Sequence, residues 1–190
     1  MDTEKYLKYL DNLTEFRRVH SLNVAEEAVR YAKKYGADPD KARLAGLLHD
    51  VTKETDGDTQ LKIIKNGGIM LSEPEKASPK LWHAISGACY VRDVIGIKDE
   101  DIFNAIRYHT TGRAGMSMLE KVVFLADFTS AERAYPDIDV IREHGENSLE
   151  EGMLYGIRFT LNRLVQRSAI ISPDALSAYN EILLEMNGEG

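Results

Sequence analysis

Apolar residues recur at spacings near 3.6 along almost the whole chain, and strict alternation over five or more residues is hard to find. This pattern predicts an all-α fold, because strand signals are weak. Helix punctuation agrees with it. Asp38-Pro39 and Ser172-Pro173 each set a capping side chain before a first-turn proline, and Ser148 to Glu151 has the spacing of a capping box. Gly36, Gly96 and Gly145 read as stops. The spacing predicts helices over 3–13, 15–35, 39–49, 58–66, 78–95, 99–109, 117–130, 137–144, 148–168 and 173–187. They would form a helical bundle. The stretch 66–79, with two glycines and two prolines, is the longest irregular segment and reads as a lid or a plain connection.

A chain of 190 residues, 43% of them hydrophobic, can supply one core, so a single domain over 1–190 is expected. No apolar run approaches the roughly 18 residues of a bilayer span, and the N-terminal MDTEKYLKYLDNL is charged and periodic. A cytoplasmic protein with no membrane partner is expected. The net charge of −7 disfavours nucleic acid as a partner. Phosphate ligands stay open, since a bound divalent ion can reverse the charge inside a pocket. The single cysteine, Cys89, excludes a multi-thiolate zinc site, so any metal must be held by imidazole and carboxylate.

Four of the five histidines and two aspartates lie near predicted helix ends, on or beside apolar stripes. His20 shares a face with Val24 and Ala28; His49 follows Ala42 and Ala45; His109 follows Ile102 and Ile106; Asp127 lies four residues after Val123. His49 and Asp50 close the apolar helix LAGLLHD, where neighbouring side chains about 100° apart can reach one cavity. Inward carboxylates need a cation. No arginine or lysine is expected on the same faces, and imidazole with carboxylate suits zinc, iron, manganese or cobalt.

In order, His20, the pair His49-Asp50 and Asp127 resemble the pattern of the HD superfamily, with 29 residues between the first two histidines and 77 between the two aspartates. The segments RVHSLNVAEEAVRYAKKYG, KARLAGLLHDVTKE, LWHAISGA, AIRYHTTGRAGMSMLEKVVFLADFTSAERAYPDID and ISPDALSAYNEILL are similar to the YqeK-like family of HD hydrolases. In one departure, family members often read Ile-Glu-Pro before the arginine where this chain reads Thr129-Ser130-Ala131-Glu132-Arg133.

The resemblance implies an HD-domain bundle with a metal in its core and symmetrical hydrolysis of diadenosine tetraphosphate to two ADP by metal-activated water. His20, His49, Asp50 and Asp127 would be the metal ligands, and Asp50 would also act catalytically, placed to reach a second metal or the attacking water. His83 and His109 would hold a second ion or donate to phosphate oxygens. Lys53 would meet phosphate oxygens or the leaving group, and Thr110, Arg113 and Arg133 would bind phosphate. Iron is the favoured ion, with manganese or cobalt as alternatives, one ion or two. The competing readings are a nucleotidase or phosphodiesterase acting on another nucleotide, and a non-catalytic sensor of ADP-like ligands. His144 precedes Gly145 and reads as a helix C-terminal cation with no catalytic role. Tyr6, Tyr9 and the late stripe Leu176, Tyr179, Ile182 and Leu183 read as core or as the contact of a homodimer.

Overall fold

The computed structural model describes residues 3–188, and among them there are helices and no strands. The α-helices are α1 (Glu15–Tyr35), α2 (Pro39–Leu48), α3 (Gly57–Asn66), α4 (Glu73–Lys76), α5 (Trp82–Tyr90), α6 (Glu100–Arg107), α7 (Met118–Thr129), α8 (Ile138–Asn147), α9 (Leu149–Gln166) and α10 (Pro173–Asn187). The all-α expectation holds. One cluster of buried apolar side chains runs from Leu10 to Ile182. No helix of the described residues is long and apolar enough to cross a membrane.

Helices α1, α2, α6 and α7 pack around one another, and α5 packs against α6. The close approach of α1 and α2 depends on Gly46. A Cβ built there would lie 2.9 Å from the Ala25 Cα, so a side chain would have to part the two backbones. The Thr14 side chain caps α1, and the Thr14 hydroxyl also donates to Glu54 over 2.7 Å. The start of α1 is thereby tied to the turn that follows α2. The Thr52 hydroxyl donates to the His83 carbonyl over 2.9 Å, tying the same turn to α5.

Several local expectations are corrected. The first predicted helix, 3–13, is a 3-10 helix over Glu4–Leu10, a short segment docked by the buried Leu10. The predicted helix 78–95 is three pieces: a 3-10 turn at Pro79–Leu81, α5, and a π-turn at Val91–Ile95 that stops at Gly96, with φ of 87°. The stretch 66–79 contains α4, closed by a capping box between Ser72 and Glu75 and pinned where the Trp82 indole donates to the Glu75 carbonyl. Another capping box, Ser117 with Glu120, opens α7.

Ser148 does accept from the Glu151 amide, but the Glu151 carboxylate pairs with His144 at 3.1 Å instead of reaching back to the cap. His144 therefore sits in the last turn of α8, as expected, and also stacks on Tyr155. Gly145 does not stop α8, which runs on to Asn147. A Cβ on Gly152 would lie 2.7 Å from the Gly145 Cα, so this glycine marks where α8 meets α9. Ile182 is buried, whereas Leu176 and Leu184 are exposed.

Candidate metal centre

His20 from α1, His49 and Asp50 after α2, His83 from α5 and His109 after α6 are all at least 97% buried and converge with Asp127 from α7. Asp50 stands at the middle. Its Oδ2 faces His20 Nε2 at 3.7 Å and His49 Nε2 at 3.5 Å, while its Oδ1 faces His83 Nε2 at 3.2 Å and His109 Nε2 at 3.6 Å. Asp127 Oδ1 completes the first group, 3.1 Å from His20 Nε2 and 3.9 Å from His49 Nε2.

The ring orientations are fixed from behind. His49 Nδ1 lies 2.7 Å from the Gly46 carbonyl and His109 Nδ1 lies 2.7 Å from the Ile106 carbonyl. A carbonyl can only accept, so each Nδ1 carries a proton, and in the neutral ring each Nε2 turns a lone pair toward the cluster. His20 Nδ1 is held by Glu132 in the same manner. Glu132 also accepts from Asn23 over 2.7 Å and from the Ser130 hydroxyl over 2.7 Å. The carboxylate behind His20 therefore comes from the stretch that departs from the family pattern.

The donor set fits a divalent cation. The imidazole nitrogens of His20 and His49 face each other at 3.2 Å and those of His83 and His109 at 3.3 Å, each pair beside a carboxylate oxygen. Asp50 Oδ1 is buried and has no hydrogen-bond donor among the described residues. Triplets drawn from these residues, such as His20-His49-Asp50 and Asp50-His83-His109, bring their ligand atoms within 4.8 Å of one another. Nitrogen and carboxylate ligands without thiolate suit iron, manganese, cobalt or zinc.

Protonation follows from the same geometry. Burial pulls the His49 imidazole below its ordinary value, against the pull of Asp50, and burial takes His83 down to about 4. Burial disfavours ionised Asp50 and Asp127. The neighbouring His49 and His109 outweigh this for Asp50, and the Arg133 charge with the His20 hydrogen bond does so for Asp127, so both carboxyls titrate well below the usual range. His20 is lowered by burial but raised further by Asp127 and Glu132.

The expectation that no arginine shares these faces is overturned. Arg17 Nη1 donates to Asp50 Oδ2 over 2.7 Å, from a position one helical turn before His20. Arg133 folds back from the loop after α7 and pairs with Asp127. Its sequence signal was a lone arginine in a loop, whereas Arg17 lay in RRVH, at i−3 from a candidate ligand. The features that suit a metal are the facing imidazoles and the unpartnered Asp50 Oδ1, and both carboxylates already have an arginine.

Lys53 Nζ lies 2.9 Å from His83 Nε2 and 3.7 Å from Asp50 Oδ1, and burial holds its ammonium below the ordinary value. Thr110, next to His109, has a buried hydroxyl with no hydrogen-bond partner among the described residues. Arg113 is turned away from the cluster. Its guanidinium grips buried Glu120 through two bonds of 2.7 and 2.6 Å, fastening the 110–116 loop to α7.

A helical core built around a His-Asp pair, with a further histidine before it and an aspartate after it, defines a class. The family model described as HD domain matches residues 17–132, and the chain belongs to the HD domain family. It is 40% identical to a Halalkalibacterium halodurans protein named "Bis(5'-nucleosyl)-tetraphosphatase, symmetrical", over 92% of each chain. It is 38% identical to the Bacillus subtilis protein of the same name, over 88% of this chain and 90% of that one. A crystal structure of a "predicted HD superfamily hydrolase involved in NAD metabolism" from Clostridium acetobutylicum superposes with a TM-score of 0.93. That chain is 34% identical, and the superposition covers 97% of this chain and 98% of the other.

Proposed function

We propose that this protein is a metal-dependent hydrolase that splits diadenosine tetraphosphate symmetrically into two ADP. The observation that carries the substrate is the near full-length likeness to relatives bearing that name, joined to an intact His/Asp cluster. His20, His49, Asp50 and Asp127 would hold one ion, and Asp50 Oδ1 with His83 and His109 offers the ligands of a second. Iron is the expected occupant, which metal analysis of the purified protein checks. A bound divalent ion supplies Lewis acidity and lowers the pKa of a water molecule to roughly 7.

In the reaction, a water oxygen bonds to an inner phosphorus and gives up a proton to solvent, the bond from that phosphorus to the central bridging oxygen breaks, and ADP leaves with the bonding electron pair on that oxygen. An ADP leaving group needs little protonation, so Lys53 acts by charge on the phosphate oxygens. Arg133 presents a guanidinium to the same polyphosphate, and the unpartnered Thr110 hydroxyl donates a hydrogen bond to it. Arg113, committed to Glu120, acts by shaping the loop. One nucleoside lies in the cavity of about 450 Å³ lined by Thr110, Thr111, Ile170, Ser172 and Ala175, where the segment after α9 meets the loop after His109. We also take residues 1–190 as one domain, a reading supported by the continuous apolar cluster.

Chromatography of the products from diadenosine tetraphosphate tests the reading. Two ADP per substrate are expected; ATP with AMP, or no turnover in the metal-loaded protein, would overturn it.

A further inference from the structure

A symmetrical dinucleotide has two identical ends, and the fold offers two compartments beside the cluster. The cavity lined by Thr110 and Ile170 shares Thr160, Leu164 and Arg167 with a second cavity of about 300 Å³ on the other side of α9. The second cavity begins at Asp127 and Arg133, against the metal centre, and runs outward between the loop after α7 and α9. Its volume lies at the small end of ligand pockets, about 300–1,000 Å³.

The lining of this second compartment suits a nucleotide. Phe128, Tyr135 and Phe159 form an aromatic wall, with the Tyr135 and Phe159 rings stacked at 5.0 Å between centroids. The Arg163 guanidinium lies 5.4 Å from the Phe159 ring. Arg163 and Arg167 are exposed at the rim. On a chain of net charge −7, Arg163 and Arg167 give the outer part of the groove a local positive charge, while Arg133 at its inner end is paired with Asp127. Purine bases stack on aromatic and guanidinium planes regardless of sequence-specific hydrogen bonding.

We propose that this compartment takes the second nucleoside of the substrate, its base against Phe159 and Arg163, and so gives the enzyme its preference for a dinucleotide over a mononucleoside polyphosphate. The inference rests on the proposed function above. These residues lie beyond the stretch 17–132 that matches the HD domain, so the preference would be built by α9 and not by the metal-bearing helices.

The experiment compares diadenosine tetraphosphate with adenosine tetraphosphate, which keeps the chain of four phosphates and lacks the second nucleoside. The quantity read is the ratio of kcat/KM for the two substrates, in metal-loaded wild type, Phe159→Ala and Arg163→Ala. Wild type should favour the dinucleotide by about tenfold, the worth of one stacked base, and the ratio should fall toward one in both variants. A purely structural role for Phe159 would depress both substrates together and leave the ratio unchanged. Arg163 is exposed and makes no ion pair among the described residues, so its removal leaves the fold intact if Phe159→Ala does not fold, and Phe159→Tyr should restore the ratio. An unchanged ratio in Arg163→Ala and, where it folds, in Phe159→Ala, or a wild-type ratio near one, overturns this assignment alone. A wild type that yields no ADP pair from the dinucleotide overturns the underlying reading as well.

Discussion

Arg17 Nη1 donates to Asp50 Oδ2 across 2.7 Å, so the aspartate that lies within 4 Å of four imidazoles also holds a guanidinium. Among the described residues this is the shortest ion-pair contact of a carboxylate that is 2% exposed. Arg17→Ala should therefore destabilise the metal-free protein by roughly 2 kcal/mol, less than for a fully buried pair because Arg17 is itself 19% exposed. Metal-loaded protein should lose less, since a cation neutralises Asp50 from the other side. Thermal melts of both forms check this; equal losses would separate Arg17 from the metal centre.

Metal removal should lower the melting temperature, because His20, His49 and Asp127 come from different helices that an ion would cross-link. At a hundredfold excess over the dissociation constant, binding adds about 2.7 kcal/mol. Calorimetry before and after verified chelation measures it, and an identical melt would contradict a metal buried in the core.

Asp50→Ala should deplete the metal and abolish turnover, whereas Lys53→Ala should keep the metal and lose roughly a hundredfold in kcat, the usual cost of one charge-stabilising donor. Metal analysis beside single-turnover kinetics separates the two phenotypes. A wild-type rate in Lys53→Ala would take the lysine out of the reaction.

Glu132 holds His20 from behind, a contact supplied by the sequence Thr129-Ser130-Ala131-Glu132-Arg133. Glu132→Ala should weaken metal affinity by about 10–100-fold, in line with other partners that orient a liganding histidine. Metal titration followed by isothermal calorimetry reads the constant. An affinity equal to wild type would show that His20 is oriented by its helix alone.

Gly46→Ala should force α1 away from α2, since the added Cβ would meet Ala25 Cα at 2.9 Å. Overpacking of this kind costs about 1–3 kcal/mol. Gly46 also supplies the carbonyl that fixes His49, so metal affinity should fall along with stability. Denaturant unfolding and metal titration of the same preparation test the link.

The helical class, the caps at Asp38 and Ser172 and the inward placement of His20, His49, Asp50, His109 and Asp127 were determined locally, because apolar periodicity and capping chemistry act over three or four residues. The ends of α1, α2, α3, α7 and α10 fell within about a residue of their expected places for the same reason. What came from the tertiary structure is of longer range. The sequence spacing does not announce that Asp50 turns one oxygen to each histidine pair, that Arg17 and Arg133 share the carboxylates, or that Arg113 is spent on Glu120. Nor does it show that α8 continues through Gly145, where Gly152 of α9 packs against the Gly145 backbone. Each of these depends on where a loop or a second helix lies in space, and side chains separated by as many as 112 residues, as His20 and Glu132 are, meet only after the bundle has closed.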